Sequence, residues 1–372
     1  MNLRIPGPTP CPDDVLEAMS GQMINHRGPE FAEILARVTD GLKQLFQTEQ
    51  DVLILTASGT GAMEAAVVNT ISPDDRVLNV SIGAFGDRFA TIAETYGASV
   101  ERLGFDWGMA ADPEQVARAL QDDDSYRVVL LTHNETSTGV TNDLEAIAKA
   151  CRRVRPDVLI VVDAISSLGS LPCAVDAWDL DVVMTGSQKG WMVPPGLAMV
   201  SVGPRGWEAW ERAKTPRFYF DFGRARDMIT KGQTPWTPAV SIFYALDVAL
   251  KRLLADGIEA IVTRQQRLGE LTRRGVQSLG LRLLADERFA SNTVTAVRVP
   301  DGVDGAALNK LMREQYDVVL AGGQASLTGK IFRIGHLGWV SEKEIEATID
   351  ALRSALPQVG FTVPETAAGR TN

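Results

Sequence analysis

Val158-Leu159-Ile160-Val161-Val162-Asp163 and, further on, Asp181-Val182-Val183-Met184-Thr185-Gly186-Ser187-Gln188-Lys189-Gly190 decide the reading of this chain. Each contains a short apolar run rich in β-branched residues, the pattern of a strand buried on both faces. The first predicts a strand ending in Asp163. The second predicts a strand that passes into a glycine-rich turn carrying Lys189. A lysine in an uncharged strand-end turn is poorly used as a solvated surface charge.

Outward from these runs the same rhythm repeats. Val52-Leu53-Ile54-Leu55-Thr56 leads into Gly59-Thr60-Gly61 and a helical pattern over 62–69. Arg76 to Val80 leads to Phe85-Gly86 and a helix through Tyr96, and Val128 to Thr132 leads to Asn134-Glu135-Thr136-Ser137 and a helix near 144–153. Repeated strand, loop and helix units predict an α/β fold around an open, mainly parallel sheet, with ligands at the carboxyl ends of its strands. The last third reads differently, with helical patterns over 241–256, 258–279 and 304–314 and strands over 292–299 and 331–334. Ser341 and Glu344 form a capping box opening a last helix through Leu352. This predicts a smaller C-terminal α+β domain. The expected division is an N-terminal segment 1–20 packing at the active site and small domain, a large domain 21–256, a small domain 257–360, and a disordered tail 361–372.

At 372 residues the chain exceeds what one growing core accommodates, which agrees with two domains. A net charge of −10 argues against nucleic acid and anionic membranes as partners, although local arginines can still bind anions. Cys11, Cys151 and Cys173 show no CxxC spacing, which suits a reducing cytoplasm without disulfides. His26, His133 and His336 give no metal-site spacing, so no metal is expected. His26 beside Arg27 is a candidate for shaping a pocket; the other two read as satisfied structural groups. No run approaches the roughly 18 apolar residues of a membrane span, and the N-terminus lacks a secretory core. A GxSxG elbow, a Walker sequence and a complete GxGxxG are absent.

The strand-end residues suggest specific chemistry. Lys189 is placed to form a Schiff base with an aldehyde cofactor, and Asp163 either caps the next helix or holds a pyridine nitrogen protonated. Together they are the protein's half of pyridoxal phosphate (PLP) chemistry. Ser58-Gly59-Thr60-Gly61 either turns the chain or presents helix N-terminal amides and hydroxyls to a phosphate, with Gln188 as a further donor. Phe85 reads as core and Thr136 as a strand terminator unless a ligand recruits them. Arg333, between Phe332 and Ile334, is costly to bury unless it meets an anion, from a structural partner or a substrate.

The chain resembles the class V, fold-type I PLP-dependent aminotransferases, most of all the alanine–glyoxylate and serine–glyoxylate (serine–pyruvate) branch. The resemblance spans about residues 3–356. It rests on Gly7-Pro8-Thr9-Pro10, Asn25-His26-Arg27, Ser58-Gly59-Thr60-Gly61, Phe85-Gly86-Asp87-Arg88 and Glu135 to Val140, and on Val162 to Ser167, Gly186-Ser187-Gln188-Lys189, Thr234 to Pro238 and Gly329 to Gly335. It implies a seven-stranded, mainly parallel sheet, Lys189 as the lysine bonded to PLP, and Asp163 on its ring nitrogen. Thr136 would lie near the phenolic oxygen, and Phe85 and Ile165 on the two ring faces. Ser58, Gly59, Thr60 and Gln188 would hold the phosphate, with Thr234 and Thr237 reaching it from a second copy in a homodimer with shared active sites. Arg333 would clamp the carboxylate of a small amino acid or 2-oxo acid, with Pro8 and Thr9 lining the pocket. Relatives often carry tryptophan where this chain has Phe85. The rival readings are a PLP lyase of the cysteine desulfurase kind, which needs a nucleophilic cysteine on a mobile loop, and a non-catalytic subunit that kept the fold.

Overall fold

The computed structural model describes residues 1–364. The apolar runs form the middle of a seven-stranded sheet in the order Asp51–Ala57, Gly196–Val202, Val182–Gly186, Leu159–Asp163, Tyr126–Thr132, Arg76–Ser81, Ser99–Gly104. Only Gly196–Val202 runs antiparallel to its neighbours. Alternate side chains of the central strands enter opposite layers. Val129, Leu131, Ile160, Val162 and Val183 pack with Leu35, Ile147 and Phe243 from the helices Pro29–Phe46, Leu144–Val154 and Val240–Asp256. Val128, Leu130, Val161, Val182 and Met184 pack with Met63, Ala66 and Phe89 from the helices Gly59–Thr70 and Ala84–Thr95. With both faces covered, polar side chains collect where the strands end.

Two of the seven strands fall outside the strand, loop and helix pattern expected from the sequence. Ser99–Gly104 is an edge strand with mostly exposed side chains, including Glu101 and Arg102, so it has no apolar run. Gly196–Val202 is apolar, but it returns antiparallel directly after the Lys189 turn, outside the strand–loop–helix rhythm. The strand expected from Asp181 begins at Val182. The buried Asp181 carboxylate instead accepts from Arg152 (2.6 Å), Arg205 (2.5 Å) and the Ile160 amide (2.7 Å), tying the amino ends of two strands.

The second sheet has four strands in the order Asn2–Arg4, Val318–Gly322, Ile331–Gly335, Val294–Arg298. The first residues of the chain thus join, in parallel, a sheet otherwise built by its last third. The expected capping box is present, with the Ser341 hydroxyl accepting from the Glu344 amide and the Glu344 carboxylate accepting from the Ser341 amide. Of the tail expected to be disordered over 361–372, residues 361–364 are ordered. The Phe361 amide donates to the Leu356 carbonyl, and Phe361 and Val363 pack on the core of this second sheet. The apolar side chains among the polar ones explain the difference, and residues 365–372 lie outside the described part. Among the described residues, no helix is long and apolar enough to cross a membrane.

Candidate active site

Five segments that leave the carboxyl ends of parallel strands in the large sheet, two of them leading into helices, converge on one cavity. The first contributes Ser58, Gly59, Thr60 and Met63, the second Phe85 and Arg88, the third Asn134 and Thr136. The turn after Leu159–Asp163 brings Asp163, Ile165 and Ser166, and the turn after Val182–Gly186 brings Gln188 and Lys189. Nine of the predicted site residues therefore share one cavity wall: Ser58, Gly59, Thr60, Phe85, Thr136, Asp163, Ile165, Gln188 and Lys189.

Lys189 is held from the N-terminal side. Its Nζ donates to the Pro6 carbonyl (2.6 Å), while the Thr9 amide donates to the Gln188 carbonyl (3.1 Å) and the Thr9 hydroxyl to the Lys189 carbonyl (3.0 Å). Gly7 makes this approach possible. Its φ is +133°, and a Cβ there would lie 2.7 Å from the lysine Nζ. Gly7→Ala is expected to push the Lys189 side chain aside and lower turnover by about 10-fold or more, an estimate set by the sensitivity of catalysis to shifts near 1 Å. Fold retention by circular dichroism with wild-type turnover would show that the close approach has no catalytic consequence. The N-terminal segment meets Lys189 by this strap, whereas neither Pro8, which is exposed, nor Thr9 is in the cavity wall.

The two central ionisable groups are both destabilised in their charged forms. Burial pushes the Lys189 amine down to about 8, with Asp163 opposing the shift and Arg333 and Arg88 adding to it. Burial pushes the Asp163 carboxyl up to about 7; the Ile165 amide and nearby cations oppose this, and Glu135 reinforces it. Asp163 Oδ1 accepts from the Ile165 amide (2.9 Å), closing a local turn rather than capping a helix. Its other oxygen makes no hydrogen bond among the described residues. A carboxylate kept this dry is suited to a cationic ligand group.

Arg333 is a second uncompensated charge. Only 6 % exposed, it donates to the carbonyls of Gly322 (2.9 Å) and Thr136 (3.1 Å) and to Gln324 Oε1 (3.3 Å). Its cross-strand neighbours are Ala296 and Ala321, small side chains that leave room for the guanidinium. Among the described residues no carboxylate forms an ion pair with it, and burial lowers it to about 10 against the pull of Glu135. The structural-partner alternative is therefore unfilled, and the remaining N–H donors suit a planar carboxylate.

Sequence reasoning gave Glu135 no role, yet this fully buried carboxylate organises the wall. Its Oε2 accepts from the Phe85 (2.9 Å) and Gly86 (3.1 Å) amides and its Oε1 from the Ser137 amide (3.0 Å). Burial raises it, and those donors oppose the rise. Asn134 is equally saturated. It donates to Ser166 and Thr293 and accepts from Thr141 and Ser291, which links the cavity floor to the second sheet's segment. Arg88 was also missed, although it stands one helical turn after Phe85 in the quoted Phe85-Gly86-Asp87-Arg88.

The phosphate cradle expected from the sequence has matching features. Ser58 is the N-cap of Gly59–Thr70, and its oxygen accepts from the Gly61 amide (3.3 Å), leaving its O–H free to donate. A Cβ on Gly59 would lie 2.8 Å from the Ile165 side chain. Gln188 also lines the cavity; its Oε1, an acceptor, is buried without a partner, so only the Nε2 of the same amide can donate to a phosphate. These features fit a phosphorylated aldehyde with a ring nitrogen: amide and hydroxyl donors, the Asp163 carboxyl, the Lys189 amine and the apolar side chains of Phe85 and Ile165 all line one cavity.

Several predicted residues lie elsewhere. Thr234 is buried, bonds to the Trp236 carbonyl (2.8 Å), and is outside the cavity wall; Thr237 is exposed and also outside it. His26 does not reach the cavity, whereas its neighbour Arg27 donates to the Thr234 carbonyl (2.6 Å) and positions that loop. His133 is buried against Trp178 and lowered to about 4 by burial, and the buried His336 bonds to Thr295. Cys151 and Cys173 are buried with thiols pushed up to about 12, and burial also raises the half-buried Cys11.

A seven-stranded, mainly parallel sheet with this lysine and aspartate at its carboxyl ends, joined to a smaller C-terminal α/β sheet, is the fold-type I architecture of PLP enzymes. The chain belongs to the class-V aminotransferase family: the model of the family described as "Aminotransferase class-V" matches residues 2–345. It is 47% identical to the "Soluble hydrogenase, small subunit" of Synechococcus sp., over 97% of this chain and 94% of that protein. It is 36% identical to the L-aspartate–glyoxylate aminotransferase of Paracoccus denitrificans, over 96% and 92%. A crystal structure of an alanine–glyoxylate aminotransferase from Nostoc sp. superposes with a TM-score of 0.91 at 30% identity, covering 95% of this chain and 94% of the other.

Proposed function

We propose that this protein is a PLP-dependent aminotransferase that moves an amino group from a small L-amino acid, alanine or serine, to a 2-oxo acid such as glyoxylate or pyruvate by a ping-pong cycle. The observation that carries the reading is a partly buried amine, Lys189, sharing one cavity with the dry carboxyl of Asp163 while the unpaired Arg333 donates to the Thr136 backbone of its wall. Bound there, PLP supplies a cationic ring that takes up the electrons released at the donor's Cα.

The chain's own groups divide the remaining work. Lys189 anchors the cofactor and, with its amine lowered to about 8, exists partly as a free base near neutral pH. Once the donor's amine has taken its place on the cofactor, Lys189 would remove the Cα proton and return it at the cofactor's aldehyde carbon, two atoms away across the nitrogen. Asp163 holds the ring nitrogen protonated. Ser58, Gly59, Thr60 and Gln188 hold the phosphate, Phe85 and Ile165 cover the ring faces, and Thr136 meets the phenolic oxygen. Arg333 fixes the substrate carboxylate and so orients the Cα–H bond. Thr234 and Thr237, which lie outside this chain's own cavity wall, complete the phosphate site of a second copy in a homodimer. On this reading 21–256 is the cofactor-binding unit and 257–360 the unit that brings Arg333.

The lyase reading lacks a nucleophile at the site, since Cys151 and Cys173 are buried elsewhere and neither they nor Cys11 are in the cavity wall. The name of the Synechococcus relative favours a non-catalytic subunit as second reading, and one experiment separates the two. The purified protein is expected to carry a visible cofactor band that bleaches with L-alanine or L-serine and returns with glyoxylate. A protein that neither retains nor takes up PLP belongs to the second reading. In the same assay Arg333→Lys is expected to keep the band while its apparent affinity for donors falls by about 10- to 100-fold, because lysine cannot form the paired bonds. Lowered thermal stability with unchanged donor affinity would mark Arg333 as structural.

A further inference from the structure

We propose that Arg88 supplies the positive charge that neutralises the cofactor phosphate, completing a cradle whose other side chains are uncharged. The inference rests on the PLP reading above and concerns which residue of this chain answers the phosphate's charge.

The residues assigned to the phosphate, Ser58, Gly59, Thr60 and Gln188, carry no formal charge. Helix N-terminal amides hold a phosphate well, but they present only a partial positive charge to a group that is near −2 at neutral pH. Arg88 lines the same cavity and leans towards that helix terminus, its Nη1 donating to the Thr60 hydroxyl at 3.4 Å. Its guanidinium also sits over the Phe85 ring, 4.7 Å from the centroid. Phe85 is itself fixed through its amide by the buried Glu135, so the stacked guanidinium starts from a rigid platform. The neighbouring Asp87 turns away to the Ser81 hydroxyl (2.7 Å) and to Arg102. Among the described residues no carboxylate forms an ion pair with Arg88. Its charge reaches the site all the same, lowering both the Lys189 and Asp163 groups. Arg333 is the other unpaired guanidinium at the site, but it bonds to Thr136 and Gly322 on the side of the second sheet. The two cations thus separate, with Arg88 at the phosphate turn and Arg333 at the substrate side.

The alternative occupant for Arg88 is a distal carboxylate of a dicarboxylic donor. Its contact with Thr60, the second residue of the cradle helix, favours the phosphate.

Pyridoxal, which lacks the phosphate, separates these roles. Arg88→Met and Arg88→Lys would be titrated as apoproteins with PLP and with pyridoxal, with circular dichroism as the fold control. Arg88→Met is expected to weaken PLP by about 10- to 100-fold, as for loss of a charge-assisted bond, with pyridoxal unchanged and Arg88→Lys close to wild type. The phosphorus resonance of bound PLP should shift in Arg88→Met. Equal losses for both ligands would overturn the proposal in favour of ring support through Phe85. Unchanged PLP affinity with a loss confined to aspartate or glutamate as donor would overturn it in favour of the distal carboxylate. A wild-type protein that binds neither ligand would refute the PLP reading itself, which is a different result from a variant that behaves like wild type.

Discussion

Lys189→Ala is expected to lower transamination by about 1,000-fold or more, since it removes both the covalent anchor and the base, each worth orders of magnitude. The loss should fall on the chemical step, with the donor no longer bleaching bound PLP in a stopped-flow half-reaction. Borohydride reduction of the wild-type protein, followed by peptide mapping, is expected to place the cofactor on the peptide containing Gly186-Ser187-Gln188-Lys189. Label on any other lysine would remove Lys189 from the mechanism. The fold should survive, because the Nζ bond to the Pro6 carbonyl is one contact among several that fasten the N-terminal strap.

Asp163→Asn should lose function and gain stability. With the carboxylate gone, the ring nitrogen loses a charge-assisted bond of roughly 1.5–3 kcal/mol, and turnover is expected to fall by about 10- to 100-fold. In the cofactor-free protein the same carboxyl is a liability. Its folded value, about 7, lies above the unfolded value of 3.8. As pH rises from 3.8 the unfolded chain gives up this proton first, so stability falls progressively until pH passes 7, where the penalty is complete. The asparagine escapes that penalty, which is on the order of a few kcal/mol. The melting temperature of the Asp163→Asn apoprotein should therefore gain on wild type between pH 4 and pH 8. A gap of the same size at both pH values would mean that Asp163 is not titrating in this window. Stability given up at a dry carboxylate is the trade expected where a site is preorganised for a cation.

Glu135 shows how a residue without a reactive partner can shape a site. It is buried as deeply as Asp163, but its oxygens are occupied by the Phe85, Gly86 and Ser137 amides. A carboxylate saturated in this way fixes backbone, whereas one with an open oxygen, like Asp163, is left to meet a ligand. The same distinction separates the fully bonded Asn134 from the partly bonded Arg333.

The alternation of apolar runs with helical patterns, and the Asp163 and Lys189 that close two of those runs, were legible in the sequence alone. Strand burial and period-two packing are local properties that a buried strand writes into its own residues, so Leu159–Asp163 and Val182–Gly186 were found to within a residue or two. Edge strand Ser99–Gly104 was not, because an exposed strand writes no apolar pattern. Placement of Lys189, Asp163, Ser58 and Phe85 around one cavity followed from the rule that such sheets bind at their carboxyl ends, together with the family resemblance. The tertiary structure decided what depends on distant contacts. Gly7 lies far from Lys189 in sequence and is tied to it only by the route of the N-terminal strand through the second sheet. Whether Arg333 had a structural partner, and whether Glu135 or Asp163 kept an open oxygen, turned on which backbone amides and carbonyls faced each side chain. No pattern within a few residues encodes that, since hydrogen-bond saturation is a property of the assembled chain.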